Sequence, residues 1–184
     1  YIYTYAGKSI VKVNKDTGEV VANGVMIGSS SFAINSPTYA DGMLFVGLSN
    51  GRVQAFNAQT LESLWVFQDA LGGQPNCPIV YCDGYVYTGF WNSETKQANC
   101  VCLSVTDEDT TNTTESKLPT WTYTHNGFYW AGAYACEDFV LIGTDDGDSG
   151  YTNGYASILS LDPKTGILLD EEKLPSLPTQ TFLL

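Results

Sequence analysis

Three acidic side chains in one short stretch are the most chemically suggestive feature of this chain. TDDGDSGYTNGY, from Thr144 to Tyr155, carries Asp145, Asp146 and Asp148 among three glycines. The spacing of Asp146, Asp148, Gly150 and Thr152 is similar to the every-second-residue ligand pattern of a calcium loop. An EF-hand is excluded, because the sharp-turn glycine and the bidentate glutamate have no counterpart. Asp145, Asp146 and Asp148 therefore stand as a candidate calcium site, with an enlarged hairpin as the plainer reading. Five cysteines, Cys77, Cys82, Cys100, Cys102 and Cys136, form no CxxC pair. Buried apolar thiols are the first reading, one disulfide the second and a metal site the last, since His125 is the only histidine. A Ser-His-Asp or Cys-His centre would have to be built on that one imidazole, and a hydrogen-bonded structural role fits it better. No glycine-rich phosphate loop leads into a helix.

The elements that must position these residues follow from composition and pattern. The 184 residues include 18 glycines and 12 tyrosines but 8 lysines plus arginines, a palette of short strands and tight turns. A net charge of −12 repels phosphate backbones and anionic headgroups, so no nucleic-acid partner is expected. No apolar run approaches ~20 residues, so no membrane insertion is expected either. The opening YIYTYAGK is already strand-like and reads as a mature or trimmed piece.

Self-similarity decides the architecture. DGMLFVGLSNGRVQAFNAQTLESLW from Asp41, DGYVYTGF from Asp83 and EDFVLIGTDDG from Glu137 align with the opening segment, placing Tyr1, Met43, Tyr85 and Phe139 in register at separations of 42, 42 and 54. Val13, Phe56, Val105 and Leu161 are expected to end equivalent strands ahead of a turn. Each unit reads as four short antiparallel strands, whose sheet has two apolar faces that only stacking against neighbours can cover. The expected fold is all-β: a β-propeller with about four blades, approximately 1–26, 34–70, 76–125 and 130–173. Residues 179–184 are a candidate closing or next-blade strand. A fragment of a larger propeller and a small closed ring both fit, and an incomplete propeller is expected to self-associate.

The motif carried by Asp41-Gly42, Gly47, Gly51, Ala55, Asn57, Thr60 and Trp65, with KDTG at 15–18 and DPKTG at 162–166, resembles the pyrroloquinoline-quinone (PQQ)-type propeller repeat. The resemblance implies that Trp65 and Trp121 dock one blade to the next, whereas Ala22 and Asp170 stand at the matching places in the first and fourth units. It also implies, for true quinoprotein dehydrogenases, a catalytic Asp, a calcium held by Glu and Asn, and often adjacent cysteines over the quinone. No vicinal cysteines occur here and those ligands find no residue-by-residue match, so no catalytic residue is carried over.

Topology then gathers one rim, where hairpins and blade-to-blade links meet: Phe90, Trp91, His125, Phe128, Tyr129, Trp130, Tyr151 and Tyr155, beside the three aspartates. Aromatic rings with a few polar groups suit a protein segment or a polysaccharide. The loop from Asp107 to Lys117 is expected on the opposite face as a solvated segment. The expectation is a non-catalytic binding scaffold, extracellular, at the cell surface or periplasmic, with a bacterial host implied by the resemblance, as is an adaptor role like that of propeller lipoproteins in outer-membrane assembly. No cofactor is expected. Calcium belongs to the hairpin alternative, and PQQ to a runner-up dehydrogenase.

Overall fold

The structure is a computed structural model, described here for residues 1–30, 35–92, 94–128, 132–145 and 156–175. Its strands fall into four stacked sheets in chain order. The first holds β1 (Ile2–Ala6), β2 (Ser9–Val13) and β3 (Val20–Val25). The second holds β4 (Thr38–Ala40), β5 (Met43–Leu48), β6 (Arg52–Asn57) and β7 (Ser63–Gln68), and the third β8 (Val80–Cys82), β9 (Tyr85–Gly89) and β10 (Ala98–Ser104). β11 (Glu115–Lys117) crosses to the second sheet, and β12 (Trp121–His125) completes the third. β13 (Tyr134–Ala135), β14 (Val140–Gly143), β15 (Ala156–Leu161) and β16 (Leu168–Leu174) form the fourth.

These are propeller blades, and burial explains their sequences. Inner-blade strands are covered on both faces and read as near-continuous apolar runs, as in β10, where six successive residues are buried. β1 alternates exposed and half-buried because only its Tyr3 and Tyr5 face reaches the second blade. Ile2, Val20 and Val25 lie on the other face and are exposed. Three apolar clusters fill the three seams between successive blades.

One carbonyl recurs as the docking point of each seam. It belongs to the residue that opens the turn between third and fourth strands: Ala58, Val105 and Pro163. Ala58 and Val105 are equivalent by their N–H bonds to Gly42 and Gly84. The Trp65 indole donates to Val105 O at 3.3 Å and the Trp121 indole to Pro163 O at 2.9 Å. In the first seam, where Ala22 replaces tryptophan, the Tyr3 hydroxyl donates to Ala58 O at 2.9 Å instead. Tyr87, at the position of Tyr3, also reaches Pro163 O at 3.4 Å, while the matching Phe45 has no hydroxyl. The seams thus use Tyr alone, Trp alone, and both.

Turn residues complement the rings. Asn57 and Asp162 cap their turns by accepting from the amides two and three residues on. The left-handed position that follows is Gly166 (φ 70°) beneath Trp121, but Leu61 (φ 61°) opposite Gly24. A large residue on one blade meets a small one on the next, in opposite senses at the two seams.

Two expectations are corrected. Val105 is not the strand-end equivalent of Phe56: Leu103 pairs with Val86 as Phe56 pairs with Leu44, and Val105 lies two residues on, in the turn. The segment from Asp107 to Lys117 does not stay wholly in solvent. Its end, β11, adds a parallel fifth strand to β7, with Glu115 opposite Trp65. An outer strand leaves unpaired backbone groups, which this strand satisfies. Lys117 is buried there, its ammonium over the Trp65 ring and donating to the Thr106 carbonyl and, at 3.2 Å, to Glu108.

Candidate binding rim

Hairpins between second and third strands meet the blade-to-blade links along one rim, and backbone hydrogen bonds tie them together. Ser49 N donates to Ser29 O (2.8 Å), Gly51 N to Gly73 O (2.7 Å), Phe128 N to Phe90 O (2.9 Å) and Asp145 N to Gly127 O (2.8 Å). Gln74 and Trp91 exchange both bonds, at 2.7 and 3.1 Å. The link from β7 to β8 passes so close to the β5–β6 hairpin that a Cβ on Gly51 would sit 2.7 Å from Gly72. With φ at 68°, that position requires glycine.

Among the described residues, Trp91 is the half-buried ring of this surface. Its indole N–H donates to the carboxylate of Asp145, which is 2% exposed. Beside it lies a cavity of about 250 Å³ lined by Asn50, Gly73, Gln74, Trp91, Asn92 and Glu94. Asn92 is braced by donating to the Leu71 carbonyl at 2.9 Å. Behind the groove, Asp69 accepts from Asn99 at 2.9 Å and from the Leu71 amide at 2.9 Å, and Asn99 accepts from Thr124 at 2.6 Å. These buried polar groups join the second blade to the third at the base of the rim.

The predicted rim residues separate into four groups. Trp91 and Asp145 come together as described. Phe90 and Phe128 do not face solvent: both are fully buried, Phe90 against Phe67 and Phe128 over Gly89, with the Phe128 amide donating to Phe90 O and the Phe90 amide to Asn99 O. His125 points along the outer strand towards the fourth blade, stacked on Tyr123, with Nε2 3.9 Å from Glu171. Tyr129, Trp130, Tyr151, Tyr155, Asp146 and Asp148 lie outside the described residues. Sequence reasoning missed Asn50, Gln74, Asn92 and Glu94. The available signal was the place of Asn50 beside Gly51, of Gln74 in the LGGQPN link, and of Asn92 and Glu94 in the enlarged FWNSETKQAN hairpin.

A family model described as "Outer membrane protein assembly factor BamB" matches residues 1–95, just over half of the chain. The chain belongs to the PQQ-like β-propeller family. No curated protein sequence matches it. Among solved structures, this PQQ-like chain is similar to BamB from Moraxella catarrhalis, with a TM-score of 0.57, 17% identity, and coverage of 93% of this chain and 48% of that one. It is also similar to a europium-containing methanol dehydrogenase (TM-score 0.69, 12% identity, 96% and 40% covered). A third is the quinohemoprotein alcohol dehydrogenase ADHIIG from Pseudomonas putida HK5 (0.65, 11%, 92% and 32%). The chain spans about half or less of the length of these proteins.

Adjacent cysteines have no counterpart in this PQQ-like chain. Cys100 and Cys102 are next-but-one neighbours, both sealed between the third and fourth blades. Among the described residues, no three His, Cys, Asp or Glu side chains cluster as metal ligands.

Burial holds the His125 imidazole below its ordinary pKa, and the Glu171 carboxylate offsets part of that effect. The folded chain therefore resists a proton that the unfolded chain accepts below pH about 6.5. His125 favours the fold above that pH, and the contribution is lost as the pH falls further. The acid limb should be shallower for His125→Gln than for the wild type between pH 7 and 5, by a fraction of about 1.4 kcal/mol per pH unit. Urea melts at three pH values check this; parallel limbs would contradict it.

Proposed function

We propose that this chain is a non-catalytic binding scaffold working outside the cytoplasm, secreted, at the cell surface or in the periplasm, and that its rim groove holds an extended protein segment. The observation that carries this reading is the groove beside Trp91: a braced indole, side-chain amides of Asn50 and Gln74, and the Glu94 carboxylate. Amides pair with peptide groups as donor and acceptor, and the ring supplies apolar area at low entropic cost. The backbone at Gly51, Gly73, Gln74 and Trp91 is hydrogen-bonded already, so little ordering there opposes binding. The family description, an outer membrane protein assembly factor, supports a protein-interaction role by analogy. The net charge of −12 favours neutral or basic segments.

The test is parallel selection against a displayed random-peptide library and a glycan array, using wild type, Trp91→Ala and Trp91→Phe. Selected peptides should bind Trp91→Ala about tenfold or more weakly. Trp91→Phe keeps the ring and should lose less. Trp91-dependent glycans without peptides would make the partner a polysaccharide. No Trp91-dependent ligand of either kind would remove the groove from the reading. A thermal melt with calcium, and with calcium plus PQQ, separates the competing proposals: a rise with calcium alone favours a calcium-stabilised hairpin, and a further rise with the quinone favours a dehydrogenase.

A further inference from the structure

The five cysteines divide into two environments. Cys77, Cys100 and Cys102 are buried in the seam between the third and fourth blades. Burial pushes Cys77 up to about 11 and Cys102 up to about 12, with Cys100 well above the ordinary thiol value. Such thiols are inert. Cys82 and Cys136 are different: both are half-exposed and both line one cavity of about 210 Å³, with Tyr85, Tyr87 and Glu137.

The fold places these two thiols at matching points on adjacent blades. Cys82 ends β8, and Cys136 directly follows β13; these are the innermost strands of the third and fourth blades and lie side by side. Both positions are fixed by local structure. Cys82 pairs with Tyr85 across the turn at Asp83 and Gly84, and the Cys136 amide donates to Phe139 O at 3.0 Å. In the second blade the same position is Ala40, which pairs with Met43 as Cys82 pairs with Tyr85. The two thiols thus sit at equivalent blade positions and line the same cavity.

We propose that Cys82 and Cys136 form a disulfide that staples the third blade to the fourth, leaving Cys77, Cys100 and Cys102 as thiols. A low-molecular-weight disulfide such as oxidised glutathione is the oxidant. One cysteine, as thiolate, attacks a glutathione sulfur, forming a mixed disulfide and releasing one reduced glutathione. The second thiolate then attacks the protein sulfur and releases the other, so two thiol protons leave and one glutathione disulfide is reduced to two thiols. Burial first, then the neighbouring Asp83, Cys136 and Glu137, raise the Cys82 thiol pKa, so the exchange is slow at neutral pH and faster at pH 8–9.

The experiment incubates the whole chain in oxidised glutathione at pH 8, then denatures and alkylates it with N-ethylmaleimide for intact and peptide mass analysis. The expected result is three alkylated cysteines and one cross-linked peptide pair containing Cys82 and Cys136. The Tm should rise by about 5–10 °C relative to the reduced chain. Cys82→Ser and Cys136→Ser should each retain a stable glutathione adduct on the remaining partner. Five alkylated cysteines, a cross-link mapped to any other pair, or persistent glutathione adducts on both Cys82 and Cys136 of the wild type would overturn the proposal.

Discussion

Trp65→Ala should be among the most damaging single truncations in this chain, costing about 3–5 kcal/mol. The ring is fully buried between the second and third blades, against Phe45 and beneath the Lys117 ammonium. Its indole reaches Val105 O in a seam where Phe45 has no hydroxyl to take over. Removal would also uncover the apolar support of Lys117, whose buried charge depends on the short β11 pairing. Trp121→Ala provides the comparison. It opens a similar cavity, but Pro163 O keeps the Tyr87 hydroxyl at 3.4 Å. It should therefore cost less than Trp65→Ala by about 1 kcal/mol, the net worth of a hydrogen bond. Chemical denaturation of both variants decides this; equal losses would show that the carbonyl contact contributes nothing beyond packing.

Gly166→Ala should destabilise although it adds one methyl group. The added Cβ would stand 2.6 Å from the Trp121 ring, and the ring is buried and hydrogen-bonded, so it has no room to retreat. Overpacking of this kind costs roughly 1–3 kcal/mol, and the positive φ of 70° adds a left-handed penalty of about 1 kcal/mol. Gly18→Ala is the control. It has a similar φ of 74° with nothing within 4 Å of the new Cβ, so it carries the backbone penalty alone. The difference between the two variants, read from denaturant midpoints, isolates the clash. Equal effects would mean that Trp121 shifts freely.

Both predictions concern the same device. Two of the three seams set one large group against one small one, Leu61 over Gly24 and Trp121 over Gly166, and the seam between them is filled by the Trp65 ring. Tyr3 was invisible as a docking residue because the repeat's tryptophan position in its unit holds Ala22. The tyrosine sits two strands away in sequence but at the same carbonyl in space.

The rim was legible only in outline. Hairpins and links do meet there, as strand order requires. That Phe90 and Phe128 turn inward was not readable, since composition does not distinguish a ring that caps a seam from one that faces solvent. Trp91 remains at the surface because its indole is held by Asp145, a residue 54 positions away.

Local chemistry in the chain determines the strands and turns of this protein. Apolar runs bounded by Asp-Gly and Asn- or Asp-headed turns specify short antiparallel strands, their recurrence specifies blades, and the motif around Trp65 specifies the family. The tertiary structure alone decides which side chain serves each seam, why β11 joins a neighbouring blade, which carboxylate braces Trp91, and which two of five thiols share a cavity. These are contacts between residues tens of positions apart. They depend on the distance and angle at which one twisted sheet stacks on the next, and no local pattern encodes that geometry.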